Sequence, residues 1–431
     1  MGVNMRSEDR VKHLQYILNN KEPFSHKQMT YKGTPRRERV FEIPIEFLIF
    51  NQYNGRIGTF VKTYEKLYGP VEASTEEGEK IIIDFLWRSA KKRNKQTMQS
   101  LIDNGQQEYG IVTKDGVVID GNRRCMLLKK IAKKNSEGTS YFRAVILDET
   151  LESNPKEIRK LETTYQMGVD EKVDYNPIEK YLKCQDLSQD FTPDDIAKMM
   201  GEKASDIEKY LETLNLLEDY LKACDAEGMY TRLEEEKVEG PFVDLRNYLS
   251  QYKKGRVVGK DWSPEKTDIA DLKSIYFDYI RAGMRTTDGI RSIGNPAKNQ
   301  GFFGRKEVWK GFRDEHFESV EEVVNNEKSL DDLAQERPGE SKEEISKARD
   351  YDFKDKVEAP LKGNLGITTG LLEDLVGNGK PVALLKKALN ALESIDNEVD
   401  DFISKDVLNL MNEIRKISDG HCHYLKKKLR D

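Results

Sequence analysis

Five consecutive residues, Asp120-Gly121-Asn122-Arg123-Arg124, concentrate the chemistry-bearing side chains of this chain. They follow the β-branched run Val117-Val118-Ile119 and lead into Cys125 to Lys134, whose Met126, Leu127, Leu128 and Ile131 fall on one helical face. A loop that leaves a strand and opens a helix suits anions, because its first amide N–H groups are unpaired and the helix dipole favours negative charge. Gly121 permits close backbone approach, Arg123 and Arg124 supply permanently charged forks for phosphate oxygens, and Asp120 is placed to cap the helix or orient an arginine. A polyphosphate is the ligand this pattern suits. Spacing alone equally allows a glycine that only makes the turn and arginines that are only solvated. Asp120 and Glu162 are the candidate catalytic groups, but together with Asp84 and Asp103 they show no spacing that gathers carboxylates around a divalent ion.

The elements that must position this loop are legible nearby. Gly110 to Thr113 and Val117 to Ile119, joined by Lys114-Asp115-Gly116, predict a hairpin, and Tyr141 to Leu147 a further strand. Arg39 to Ile45 reads as a strand, with Phe47 to Phe50 continuing its apolar signal. Helices are predicted over Glu79 to Ala90 and Lys95 to Ile102, the latter stopping at Asn104-Gly105. Residues 36–150 therefore form an α+β domain, preceded by an arm at 1–35 and followed by mainly α-helical domains.

Within residues 151–235, the stretch Phe191 to Gly201 is fully punctuated: Thr192 caps, Pro193 suits the first helical position and Gly201 the turn. A second helix, Ser205 to Leu217, turns Ile207, Leu211, Leu214 and Leu217 inward, and Ala197 is small enough for close crossing. This is a helix-turn-helix pattern at about 190–217, with Lys198, Lys203, Ser205 and Lys209 as candidate DNA contacts. The recognition face also carries Asp206 and Glu208, so it is weakly basic, and pure helix packing stays open. Residues 236–330 are basic and aromatic. From Arg281 to Arg313, eight Lys or Arg oppose Asp288 and Glu307, interleaved with Phe302, Phe303, Trp309 and Phe312 that would stack on bases or form core. Residues 331–380 read as a charged linker, and 381–431 as a C-terminal helical element suited to dimerisation.

A chain of 431 residues predicts several domains, and 34% charged residues beside 37% hydrophobic ones predict a polar but folded protein. No 18-residue apolar run or signal-peptide pattern occurs, so a cytoplasmic protein without membrane contact is expected. A net charge of −6 opposes indiscriminate nucleic-acid coating and leaves DNA binding to local basic surface. Cys125, Cys184, Cys224 and Cys422 form no CxxC pair, and His421-Cys422-His423 has no second cluster to complete a metal site.

The region 36–220 resembles the ParB/sulfiredoxin superfamily through three stretches in the family's order. Asn51-Gln52-Tyr53-Asn54-Gly55-Arg56 resembles its asparagine-to-arginine motif, Asp115 to Lys129 its phosphate-binding motif, and Asn176-Pro177-Ile178-Glu179 the Asn-Pro-x-Glu that opens its helical region. The helix-turn-helix falls where a ParB partition protein has one. The resemblance implies a nucleoside triphosphate, CTP or ATP, bound with Mg²⁺, and places nucleotide contacts at Arg56, Gly121, Arg123 and Arg124, with Asp120 and Asn122 in the same loop. The sequence departs from the family in two places. Asn122 stands where partition proteins commonly have an acidic residue, and Glu162-Thr163-Thr164-Tyr165-Gln166 matches Glu-Asn-x-x-Arg imperfectly, leaving Glu162 as the candidate metal ligand. The nucleophilic cysteine of sulfiredoxins aligns with Asn122, and Cys125 lies a helical turn further on. The expectation is a homodimeric, nucleotide-controlled DNA-binding protein. The alternatives are an enzyme that hydrolyses nucleotide, transfers phosphoryl groups or cleaves nucleic acid, and a non-catalytic interaction scaffold.

Overall fold

The computed structural model describes residues 5–134, 140–169, 176–254, 262–296, 300–376, 381–399 and 402–430. The amino-terminal part is built on a mixed six-stranded sheet. Its strands are β1 (Ser25–Tyr31), β2 (Thr34–Pro44), β3 (Ile49–Phe50), β4 (Gly110–Val112), β5 (Val117–Asp120) and β6 (Tyr141–Ile146), arranged in the order β1-β2-β6-β4-β5-β3. β4 runs parallel to β6 and β3 parallel to β5, while the other neighbours are antiparallel. Strand periodicity divides the core in two. Phe41, Ile43, Val112, Val118, Phe142 and Ala144 face one layer, and Val40, Ile111, Val117, Ile119 and Val145 face the other.

The first layer is closed by α1 (Ser7–Asn20), α2 (Gly58–Tyr68), α3 (Glu76–Arg88), α4 (Lys91–Asn104) and α5 (Asn122–Lys134). The second is closed by Ile158 and Leu161 of α6 (Pro155–Thr163). The expected hairpin is β4–β5, closed by Gly116 at φ +87° and by Thr113 N–H donating to Val117 O at 2.9 Å. Residues 7–31, expected as an arm, instead belong to this domain: α1 buries Leu14 and Ile17, and β1 pairs with β2 from Ser25↔Val40 to Tyr31↔Thr34. Met29 and Tyr31 point inward while polar residues alternate outward, a half-buried edge pattern that composition hides. The apolar run expected to continue the second strand breaks into a 3₁₀ turn, Ile45–Phe47, before β3.

Beyond the sheet the described chain is largely helical. It comprises α7 (Pro177–Ser188), α8 (Pro193–Met200), α9 (Ala204–Ala223), α10 (Tyr230–Glu236), α11 (Glu239–Lys253), α12 (Lys266–Arg281), α13 (Arg291–Gly294), α14 (Lys306–Asn325), α15 (Leu330–Glu336) and α16 (Lys342–Val376). The expected helix-turn-helix is α8–α9: Thr192 Oγ1 accepts from Asp195 N, Gly201 adopts φ +70°, and Ile196, Ala197 and Ile207 share one small core. α9 overruns its expected end because Tyr220 and Leu221 continue the buried stripe.

Phe302, Phe303, Trp309 and Phe312 are fully buried, so the aromatic half of the basic segment is core and offers no stacking surface. The stretch expected as a linker is mostly α16. Ile345, Phe353, Val357, Leu361 and Leu365 recur along one buried face, and the high charge density of the other face conceals them. Buried ion pairs fasten this helix: Arg281 joins Asp350 Oδ1 at 2.7 Å and also Glu327, while Arg232 Nη2 meets Asp350 Oδ2 at 2.8 Å.

Residues 369–431 form a second compact unit. It contains α17 (Pro381–Glu393) and α18 (Lys405–Lys428), and no described residue of α18 is buried within it. No helix among the described residues is long and apolar enough to cross a membrane.

Gly110 is a sharp steric probe of the sheet, because a Cβ there would lie 2.3 Å from Phe142 Cζ and 2.8 Å from Asp120 O. Gly110→Ala is expected to destabilise the fold by about 1–3 kcal/mol through overpacking. Chemical denaturation beside the native chain measures this, and an unchanged midpoint would contradict it.

Candidate functional site

The arginine loop sits where β5 ends and α5 begins. Gly121 has φ +96°, and a Cβ there would come within 2.8 Å of Phe142 Cζ and 3.3 Å of Arg124 Nη2, so this backbone path requires glycine. Asn122 is buried and anchors the loop. Its Nδ2 donates to Val118 O at 2.7 Å and its Oδ1 accepts from Asn51 N at 3.0 Å. An acidic side chain cannot donate to Val118 O when ionised, so the amide suits this position by its two-sided bonding. The clamp brings the loop at residues 51–56 beside the arginine loop. Asn51 Oδ1 then accepts from Tyr53 N and Asn54 Oδ1 from Arg56 N, turning the chain into α2.

Four guanidinium groups converge on this site. Arg123 is held well below the usual arginine range, at about 10, first by burial and then by repulsion from Arg56, Arg93 and Arg124. Its fork closes on one acceptor: Nε and Nη2 both donate to Asn94 Oδ1, at 3.0 and 2.9 Å. The Asn94 amide in turn donates to Leu86 O and Trp87 O at the end of α3. Asp120 takes the orienting role allowed for it, with Oδ2 3.1 Å from Arg124 Nη2 and 3.6 Å from Lys27 Nζ. Lys27 is depressed chiefly by its burial. Lys27, Arg93 and Asn94 were missed in the sequence because β1 reads as polar arm, and α4 carries several similar basic residues. The buried face and capping of α4 single out Asn94 only in three dimensions.

The other candidates lie elsewhere. Glu162 is buried, with Oε2 2.9 Å from Lys183 Nζ and Oε1 accepting from Gln166 Nε2 at 3.3 Å. Its carboxylate is committed to an internal ammonium, and among the described residues no group of three or more His, Cys, Asp or Glu is arranged to hold a metal ion. Glu162 therefore does not fit the metal role that the resemblance implies, while Gln166 links it to Ile119 O, the residue before Asp120. Cys125 is buried and its thiol is pushed up to about 11 by that burial, which disfavours the thiolate a nucleophile needs.

Glu179, of the Asn-Pro-x-Glu stretch, has a role the sequence did not disclose. Its carboxylate accepts from Thr59 N at 3.1 and 3.2 Å and from Thr59 Oγ1 at 2.7 Å, capping α2 from a distant helix. A Cβ on Gly58 would lie 2.8 Å from Glu179 Oε2, so glycine admits the carboxylate. Asn176 caps α7 itself, accepting from Ile178 N at 3.0 Å. Glu162, Glu179 and Lys183 contribute to the wall of a cleft of about 1000 Å³ that also includes Phe50, Tyr53 and Leu182; the arginine loop does not line it.

Lys198, Lys203, Ser205 and Lys209 are all exposed on α8–α9. Lys209 Nζ is held 2.6 Å from Asp206 Oδ1, and Asp194, Asp195 and Glu208 are exposed nearby, so this face is of mixed sign.

No family model matches the chain, and comparison with curated proteins finds no match.

Burial, and next the neighbouring Glu234, raise Glu179 to about 8; burial raises Glu234 to about 7. Carboxyls raised above their ordinary 4.5 favour the fold fully below that value, and this contribution is lost as pH rises through about 7 and about 8. Glu234→Gln is expected to flatten the fall in thermal midpoint between pH 5 and pH 8 relative to the native chain. Parallel pH–melting curves test it; coincident slopes would refute the assignment.

Proposed function

We propose that this protein is a ParB-like DNA-binding protein whose arginine loop binds a nucleoside triphosphate, CTP or ATP, and whose DNA association depends on that binding. The observation that carries the reading is the convergence of Arg56, Arg93, Arg123 and Arg124 at the start of α5, with Arg123 depressed by burial and by the other three. Like charges so placed repel one another, and a polyphosphate relieves the repulsion by accepting charge-assisted bonds. Gly121 supports the reading by permitting the φ +96° turn that carries the chain from β5 into the start of α5. The connection of Asn122 to Asn51, and of Glu179 to Thr59, supplies a route by which an occupied loop would steady α2 and α7.

In this reading Arg123 and Arg124 hold phosphate oxygens, Arg56 approaches from the neighbouring loop, Gly121 makes the turn into the helix start, and Asn122 and Asp120 position the others. Any Mg²⁺ arrives with the triphosphate, since the described carboxylates do not gather around one. Lys198, Lys203, Ser205 and Lys209 are the proposed DNA contacts of the helix-turn-helix. Two protomers would associate through α18, where Val407, Leu410, Ile414 and Ile417 recur at three- and four-residue spacing and Tyr424 follows seven residues later.

A second reading is a scaffold that binds no nucleotide. It is favoured by the engagement of Arg123 with Asn94 and of Arg124 with Asp120, both of which are bonds a purely structural arginine makes.

Titration calorimetry with CTP, ATP and GTP in Mg²⁺ separates the two. The native chain is expected to bind one of them, and Arg123→Ala with Arg124→Ala to weaken it by at least about 100-fold, as for two charge-assisted contacts. Absence of binding to all three, with and without DNA, would leave the scaffold reading.

A further inference from the structure

Next to the arginine loop, the turn between α3 and α4 and the start of α4 read Arg88-Ser89-Ala90-Lys91-Lys92-Arg93-Asn94-Lys95, five cations without a carboxylate. Lys91, Lys92, Arg93 and Lys95 are exposed, whereas Asn94 between them is buried and bound to Arg123. Arg88 is paired with Asp84 at 3.5 Å; Lys91, Lys92 and Lys95 make no ion pair among the described residues. The two bonds from Arg123 to Asn94 therefore fix this basic turn against the start of α5 and set Arg93 near Arg123. Cations in the first turn of a helix oppose its dipole, so local helix stability gives no reason for them.

We propose that this strip, centred on Lys91, Lys92 and Lys95, is a binding surface for the phosphate backbone of duplex DNA, and that it carries most of the sequence-independent affinity of the protein. The inference rests on the DNA-binding part of the function proposed above and relocates its electrostatic contribution. Charge complementarity selects the occupant. The helix-turn-helix face sets exposed Asp194, Asp195 and Glu208 among its lysines, while the α4 strip has no acidic residue between Arg88 and Lys95. Because its free energy comes from released counterions, backbone binding draws on cations not already paired within the protein, and among the described residues Lys91, Lys92 and Lys95 make no ion pair. A membrane surface is the poorer fit. Among the described residues of α3 and α4 the one exposed large apolar side chain is Ile102, two turns beyond Lys95, whereas interfacial helices present a whole apolar face beside their basic one. The strip also adjoins the arginine loop where both donors of the Arg123 fork close on Asn94 Oδ1, so a ligand that draws Arg123 away from Asn94 acts directly on the footing of α4.

The test uses the full chain and a fluorescent duplex of random sequence, with anisotropy read over a series of salt concentrations. Lys91→Glu/Lys92→Glu/Lys95→Glu is expected to lower affinity by at least about tenfold and reduce the log–log salt slope by about 3, one per lost phosphate contact. Lys198→Glu/Lys203→Glu/Lys209→Glu is expected to change the slope by less than half as much. A strip variant that matches the native slope and affinity, while the helix-turn-helix variant loses both, would overturn this inference and leave the DNA-binding reading standing. A native chain that binds no duplex, with or without nucleotide, would overturn both. Polyglutamate and anionic vesicles serve as competing probes: strip-dependent capture of either, in preference to duplex, would overturn the assignment to DNA. Lys91→Arg/Lys92→Arg/Lys95→Arg, which keeps the charge, is expected to restore binding, whereas loss through misfolding would show as a lowered melting temperature in the glutamate variant.

Discussion

The arrangement of the site depends on the side-chain amide of Asn122. It is buried between β5 and the residues after β3, donating to one backbone and accepting from the other. Each bond contributes on the order of 1 kcal/mol net, but leaving either buried partner unsatisfied costs about 1–3 kcal/mol, so the clamp is defined more by what its loss exposes. Through it the 51–56 loop is fixed beside the arginine loop, Arg56 reaches the neighbourhood of Arg123, and the chain enters α2 at a set angle. The asparagine at this position thus has its own structural logic.

A second set of constraints ties the sheet to the helices. Glu179 caps α2 from α7, and Lys183, one turn later on the same helix, neutralises Glu162 of α6. Buried pairs of this kind are costly to desolvate, and removing one partner costs more than the pair contributes. They are better understood as fixing which surfaces meet than as sources of net stability. The same applies to Arg232, Arg281 and Asp350, which set the position of α16 against α10 and α12. These contacts lie within one compact unit that extends to Thr368 and holds both the arginine loop and the α8–α9 pair.

Charge is distributed unevenly over this acidic chain. Four arginines converge at one helix start, a lysine-rich turn lies beside them, and the helix-turn-helix presents both signs. A net charge of −6 therefore says little about polyanion binding, which depends on fields within about a Debye length of the surface. The buried arginines of the helical region show the converse. Arg281, counted from sequence as part of a basic segment, is neutralised internally by Asp350 and Glu327 and contributes nothing to the surface field.

Local signals were legible in the sequence wherever backbone chemistry dictates them. The Lys114-Asp115-Gly116 turn, the strand–loop–helix around Gly121, and the Thr192–Gly201 punctuation of α8 all depend on residues within a few positions, and each occurs as read. The six-stranded sheet followed by helices follows from the same signals. What only the tertiary structure decided are the relations between distant residues. The sequence contains Asn94 among lysines and Glu179 beside a proline, but nothing in it states that one holds Arg123 and the other caps Thr59. It likewise showed β1 and α16 as polar and charged, because a half-buried edge strand or a one-faced helix keeps most of its residues in water. Their partners, supplied by β2 for one and by α10 and α12 for the other, make their few buried side chains decisive. Burial is a property of the folded neighbourhood, and so is the depressed charge of Arg123: both arise when segments far apart in the chain exclude water from the same place.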